Sequence, residues 1–260
     1  MSIPHQKTII LILVLVFFQH AAGADEIRPP GTDANAYILP AGTAAFATGF
    51  FLYDDVTPPD SLPNIMPKVN FIDRGALNNW SEEAALFSDV LLAGLAAAPL
   101  ALLSDDEIYD DGWGVAEAYL QSTLITNSAV MLSKGLFQRK RPYYYNPAAP
   151  EYIRLSKDAK RSFISGHSAN AFNSALFTAR VYDVYHDNDA VPYIYAAGLG
   201  LASLTGYMRY EAGRHYPTDI IAGALAGALS AYIITEIHRH REQVIPLDEK
   251  PLYLTLMINF

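Results

Sequence analysis

Three short stretches of this chain hold side chains able to do chemistry. Within residues 206–223, GYMRYEAGRHYPTDIIAG, Arg209, His215 and Asp219 fall in the spacing Arg-x5-His-x3-Asp. Pro217 suits the first turn of a helix, where its missing N–H is not needed. Asp219 then lies one turn beyond His215, within reach of the imidazole. A carboxylate in that position fixes the ring's tautomer and stabilises its charged form, the base-and-orienter arrangement of an activated nucleophile. Upstream, KGLFQRKRP holds Lys134 and Arg141 seven residues apart, two helical turns and therefore one face. Arg139 and Lys140 are expected to point away into solvent. SGHSAN sets Ser165 at a helix N-cap with Gly166 and His167 in the first turn, a ready anion site of hydroxyl and free N–H groups. Each stretch alone also reads blandly, as a capped helix with a surface His–Asp pair, a solvated basic face and a chance tripeptide.

Taken together and in order, Lys-x6-Arg-Pro, Ser-Gly-His and Arg-x5-His-x3-Asp resemble the three-part signature of the type 2 phosphatidic acid phosphatase superfamily. That family also includes bacterial non-specific acid phosphatases and vanadium-dependent haloperoxidases. The resemblance implies His215 as nucleophile, Asp219 orienting it, and His167 as the acid that protonates the leaving oxygen. Lys134, Arg141, Ser165, Gly166 and Arg209 would hold the phosphoryl oxygens, with no cofactor or metal required. Two departures stand out: Ile164 where the family usually has proline before Ser-Gly-His, and Met208 where serine usually precedes the arginine. The expected activity is hydrolysis of phosphate monoesters or diphosphates, leaning towards a lipid or isoprenoid phosphate. The alternatives are a broad-specificity periplasmic acid phosphatase, a vanadium haloperoxidase, or an inactive phosphate-binding module.

Composition agrees with a buried anion site in a chain unsuited to nucleic acid. The 260 residues carry Lys+Arg 18 against Asp+Glu 27, a net charge of −9, with no cysteine. An acidic chain has no excess of cations to displace phosphate counterions, so any anion must meet a local basic cluster. Without cysteine there are no disulfides and no thiolate metal site. Residues 1–24 read as a signal peptide: Lys7, the apolar run TIILILVLVFF, then AAGA. The expected location is therefore outside the cytoplasm, in the periplasm, with peripheral membrane contact in view and an uncleaved N-terminal anchor as the alternative.

The elements needed to position these groups are helices. The expected fold is all-α, a single-domain helical bundle with Ala/Gly seams that let helices approach closely. Residues 25–69 form a polar lead-in and a first helix, 70–240 the helical domain resembling the family, and 241–260 a tail. The tail alternates Leu252, Leu254, Leu256, Ile258 and Phe260 with more polar residues, the period of a short strand. Residues 112–138 should form a long helix stopped by Arg141-Pro142, since a residue before proline disfavours the α region. The apolar runs at 193–208 and 220–234 fall below the roughly 20 residues of a spanning helix and read as buried core helices. Between them and the 112–138 helix lies a loop of about twenty residues rich in proline and tyrosine, a length that usually signals function. Tyr143 to Tyr145 are expected to line an apolar entrance.

Overall fold

The computed structural model describes residues 35–244, all of its regular elements helical. The signal-like segment and the alternating tail lie outside the described residues. Six long helices make the bundle: α1 Asn35–Asp54, α2 Glu82–Ala101, α3 Gly112–Phe137, α4 Gly166–Tyr185, α5 Val191–Glu211 and α6 Pro217–Val244.

Local chemistry sets the ends of these helices. Ser81 caps α2, its side chain accepting from the Ala84 N–H at 3.0 Å, and Glu82 and Glu83 occupy the first turn beside the positive end of the dipole. α3 stops where Gln138 turns left-handed at φ 43°. Arg141 is extended, as a residue before proline must be. Ser165 caps α4 as its sequence context suggests, accepting from the Ser168 N–H at 3.3 Å.

α4 is the central helix, packed against α2, α3, α5 and α6, while α1 lies along α3. Its buried face is built of small residues, Ala169, Ala171, Ala175 and Ala179, with Phe177 as the one large side chain. On the facing surface of α6, a Cβ at Gly223 would meet the Ser165 carbonyl, and one at Gly227 would meet the Ala169 carbonyl. The Ala/Gly seam expected from sequence is thus a backbone-to-backbone contact between the two helices that carry the histidine motifs. Polar ties join α3 to α4: Asn173 to Ser122 and Thr126, Asn127 to Asn170, and Tyr119 to Ser174. The apolar core, around Val115, Phe177, Val181, Ala231 and Ile234, fills the end of the bundle away from the motifs.

Two sequence expectations change. The 220–234 run was expected to be buried, yet Ile221, Leu225, Leu229, Tyr232 and Ile233 of α6 are exposed. Pro217–Arg239 and Glu82–Ser104 are 23-residue helical spans whose most apolar 18-residue stretches have mean hydropathies of 1.8 and 2.0, both long and apolar enough to cross a bilayer. Helical continuity beyond the strictly apolar run supplies the missing length. The outward face of α2 likewise shows Leu86, Phe87, Val90 and Leu100.

The second change concerns the loop after α3. It is threaded by short helical turns at Pro142–Tyr145, Glu151–Arg154 and Lys157–Lys160. Tyr143 and Tyr144 are buried rather than lining an entrance. Tyr143 stacks edge-on against Trp80 at 5.9 Å, and Tyr144 hydrogen-bonds the Ser61 carbonyl at 2.8 Å. An aromatic ring with a satisfied hydroxyl is stable inside a folded loop, and these two give the loop its own small core.

Candidate active site

The C-terminal part of α3, the N-termini of α4 and α6, and the last turn of α5 meet at one end of the bundle. The Ser165 N–H donates to the Asp219 carbonyl at 2.9 Å, joining the starts of α4 and α6. Lys134 leaves α3 beside Gly166, whose position for a Cβ is 3.9 Å from the lysine Nζ. Arg209 comes from the end of α5 and donates to Ser88 Oγ at 3.1 Å. Lys134, Arg141, Ser165, Arg209, His215 and Asp219 are all buried.

His215 lies at the centre of this cluster. Its ionisation responds to Arg141, Lys134, Arg209 and His167, which places all four within electrostatic reach of the ring. Burial and then these positive neighbours push its pKa well below the usual imidazole range, so the ring is neutral. Arg141 Nη1 lies 3.2 Å from His215 Nε2. A guanidinium only donates, so Nε2 presents its lone pair and the ring proton sits on Nδ1. The Nδ1 side faces Asp219 Oδ2 at 3.8 Å, too long for a hydrogen bond, and the buried Nδ1 has no other partner.

His167 has the opposite tautomer. Its Nε2 is 2.6 Å from Asp89 Oδ1. Since an ionised carboxylate only accepts, Nε2 carries the proton. Burial and the nearby Arg209 bring its pKa down to about 4, against the opposing pull of Asp89. Asp89 Oδ1 also receives Arg209 Nη1 at 3.4 Å. The site therefore holds two neutral imidazoles, one with its Nε2 lone pair against a guanidinium and one with its Nε2–H on a carboxylate.

Four cations hold the surrounding field. Arg141 uses its whole fork: Nε to the Asp158 carbonyl at 2.9 Å, Nη2 to Asp158 Oδ1 at 2.9 Å, and Nη1 to the Arg214 carbonyl at 3.1 Å as well as to His215. Burial would raise the Asp158 pKa, but Arg141 and Lys134 outweigh it and hold the carboxyl at about 2. Arg214 stacks over Trp80 and Tyr143. Burial, then repulsion from Arg141 and Arg214, bring Arg209 down to about 9.

Lys134 is brought down to about 7, by burial first and then by Arg141. The cluster thus half-discharges its own lysine near neutrality. Since kcat/KM reports the free enzyme, it is expected to fall as pH rises through about 7. In Lys134→Arg, which stays charged, that alkaline limb moves up by more than one pH unit while the substrate's own ionisation is common to both proteins. Stability runs the other way. Between about 7 and 10.5 the fold binds fewer protons at this lysine than the unfolded chain does. Its contribution therefore improves with rising pH over that window.

The sequence reading of the basic pair is half corrected. Lys134 and Arg141 do meet at the site, but not as two positions on one helical face, because α3 ends at Phe137 and Arg141 arrives on extended chain. Arg139, expected in solvent, instead bridges Asp219 Oδ1 and Asp73 Oδ2. Asp73, Asp89, Asp158 and Ser162 were not anticipated at all. Only Asp89 left a signal, as the single charge interrupting the apolar run that became α2. At Ile164, where the family usually has proline, the backbone N–H donates to Ser133 Oγ at 3.1 Å, a bond proline could not make.

The all-α bundle closes two helix N-termini and a set of buried cations around a neutral imidazole. Comparison with known proteins places the chain more narrowly. Residues 115–243 match the PAP2 superfamily, and the chain belongs to that family. It is 28% identical to a lipid A 4'-phosphatase of Porphyromonas gingivalis over 48% of this chain and 51% of that one. It is 26% identical to a probable diacylglycerol pyrophosphate phosphatase of Schizosaccharomyces pombe over 52% of this chain and 56% of that one. The chain thus spans about half the length of the curated relatives it matches. No solved structure matches it.

Proposed function

We propose that the protein is a phosphatase acting on a lipid or isoprenoid phosphate through a phosphohistidine intermediate. The observation that carries this reading is the convergence of two imidazoles inside one cationic cluster: His215 with its Nε2 lone pair against Arg141, and His167 paired through Nε2 with Asp89. In the first step His215 Nε2 attacks phosphorus, the P–N bond forms, the bond to the leaving oxygen breaks, and His167, charged to imidazolium once the bound phosphate offsets the repulsion of Arg209, gives that oxygen a proton and becomes neutral. In the second, water attacks phosphorus, His167 takes the water's proton, and the P–N bond breaks to release inorganic phosphate. Lys134, Arg141 and Arg209, with the Ser165 and Gly166 start of α4, hold the non-bridging oxygens while their charge redistributes.

Two observations favour a lipid substrate over a soluble one. The outward faces of α2 and α6 expose contiguous apolar side chains of the kind that meet a bilayer. Both relatives bear names of lipid phosphatases. We assign the protein to a membrane surface outside the cytoplasm, reached through the signal-like residues 1–24.

The test is phosphate release from lipid monophosphates, lipid diphosphates, isoprenoid diphosphates and soluble esters, with the phosphoenzyme trapped by rapid quench. The expected result is preferential turnover of a lipid or isoprenoid substrate, insensitivity to chelators, inhibition by orthovanadate, and a phosphoenzyme labile to acid and stable to base. Loss of activity on chelation, or an acid-stable phosphoenzyme, overturns the mechanism. Preference for soluble esters overturns the substrate class.

A further inference from the structure

Asp219 reaches the nucleophile's side of the pocket, yet nothing on its own helix explains how it is held there. It is fully buried. Its Oδ2 accepts from Ser162 Oγ at 2.6 Å and from the Tyr216 N–H at 3.1 Å, and its Oδ1 is taken by Arg139. Arg139 is a bridge: the same guanidinium donates to Thr218 Oγ1 at 2.8 Å and to Asp73 Oδ2 at 2.7 Å, with its Cζ 4.0 Å from the centroid of the Tyr216 ring. Asp73 is also fully buried. Its Oδ1 accepts the Thr218 N–H at 3.1 Å, and its Oδ2 accepts Thr218 Oγ1 and Asn70 Nδ2, each at 2.8 Å.

We propose that Arg139 and Asp73 are positioning residues that set the Asp219 carboxylate beside His215 Nδ1. This rests on the reading of His215 as nucleophile. Asp73 does for α6 what a local cap does elsewhere, satisfying a free N–H of the first turn, but it comes from a segment ahead of the residues that match the family. Arg139 then ties that cap to the catalytic carboxylate through two charge-assisted contacts. As phosphorus bonds to His215, its ring becomes positive and Nδ1–H needs a carboxylate close by. Asp219 Oδ2 starts 3.8 Å away, so its restraint decides whether that contact closes.

The full-length chain is compared as wild type, Arg139→Gln, Arg139→Lys and Asp73→Asn. In Arg139→Gln and Asp73→Asn, kcat is expected to fall by about 10- to 100-fold, the scale of a misplaced catalytic group. KM and the affinity for inorganic phosphate stay within about threefold, and Arg139→Lys recovers part of kcat. Unchanged kcat in Arg139→Gln overturns the proposal. Phosphate affinity falling in step with kcat also overturns it, by making Arg139 a direct phosphate ligand. The nitrogen-15 resonances of His215 provide a readout without turnover. Asp73→Asn, the isosteric variant, is expected to move the Nδ1 shift, and an unmoved resonance overturns the proposal. Failure of the phosphatase reading shows separately, as wild type that hydrolyses no ester.

Discussion

Replacing His215 with alanine lowers kcat by about 10⁴-fold or more, the scale seen when a covalent nucleophile is removed and only binding and electrostatics remain. The other imidazole, His167, is held by Asp89 through Nε2, and the chain has no cysteine. Phosphate binding changes far less than turnover, because Lys134, Arg141 and Arg209 remain. Stopped-flow turnover together with calorimetric phosphate titration separates the two. The same variant changes acid stability. His215 is held neutral by burial and by Arg141, with a folded pKa well below 6.5. Below that pH the unfolded chain takes up a proton that the fold does not, so the wild type loses stability as pH falls through 6.5. His215→Ala has no such proton to refuse, and its Tm declines less steeply between pH 6.5 and 5. Undiminished phosphate release from the variant removes the nucleophile assignment.

Arg141→Lys is the second large effect, and charge alone does not protect against it. The guanidinium makes four contacts in one plane, to Asp158 twice, to the Arg214 carbonyl and to His215 Nε2. An ammonium is a single point charge on a flexible stem and cannot reproduce that fork. The expected loss in kcat/KM is about 10² to 10³-fold, comparable to removing one preorganised oxyanion donor. Asp158 then loses the strongest of the cations that hold its carboxyl at about 2. Its contribution to stability, present above pH 3.8 and lost as pH falls towards 2, diminishes in the variant. A loss of less than tenfold shows that Arg141 acts only through its charge. Steady-state kinetics beside Lys134→Arg, where the charge is kept and the shape enlarged, makes the comparison internal.

The amino-acid string revealed the parts of this site that are set by short-range rules. Ser165 before Gly-His reads as an N-cap, Pro217 as a helix start and Arg141-Pro142 as a helix stop, because each depends on backbone geometry within a few residues. The spacing Arg-x5-His-x3-Asp survives folding for the same reason: Asp219 is one turn from His215. The groups brought in from afar were not legible. Asp73 stands 145 residues ahead of Thr218, to which it bonds, and its surroundings in sequence are an ordinary turn. Arg139 was misread because helical periodicity was carried past Phe137, where α3 had already ended. The apolar face of α6 was misjudged because an alanine- and glycine-rich run looks buried by composition, while the small residues face α4 and the leucines face outward.

Gly227 lies two turns down α6 from Asp219, about 12 Å from it at the helical rise per residue, and the Ala169 carbonyl fills the place of the side chain it lacks. The gauge of the catalytic mouth is therefore set at a distance, by how nearly two backbones can touch where no substrate ever reaches. Any methyl group there acts as a wedge, and a wedge low between two rods opens the gap at their tips.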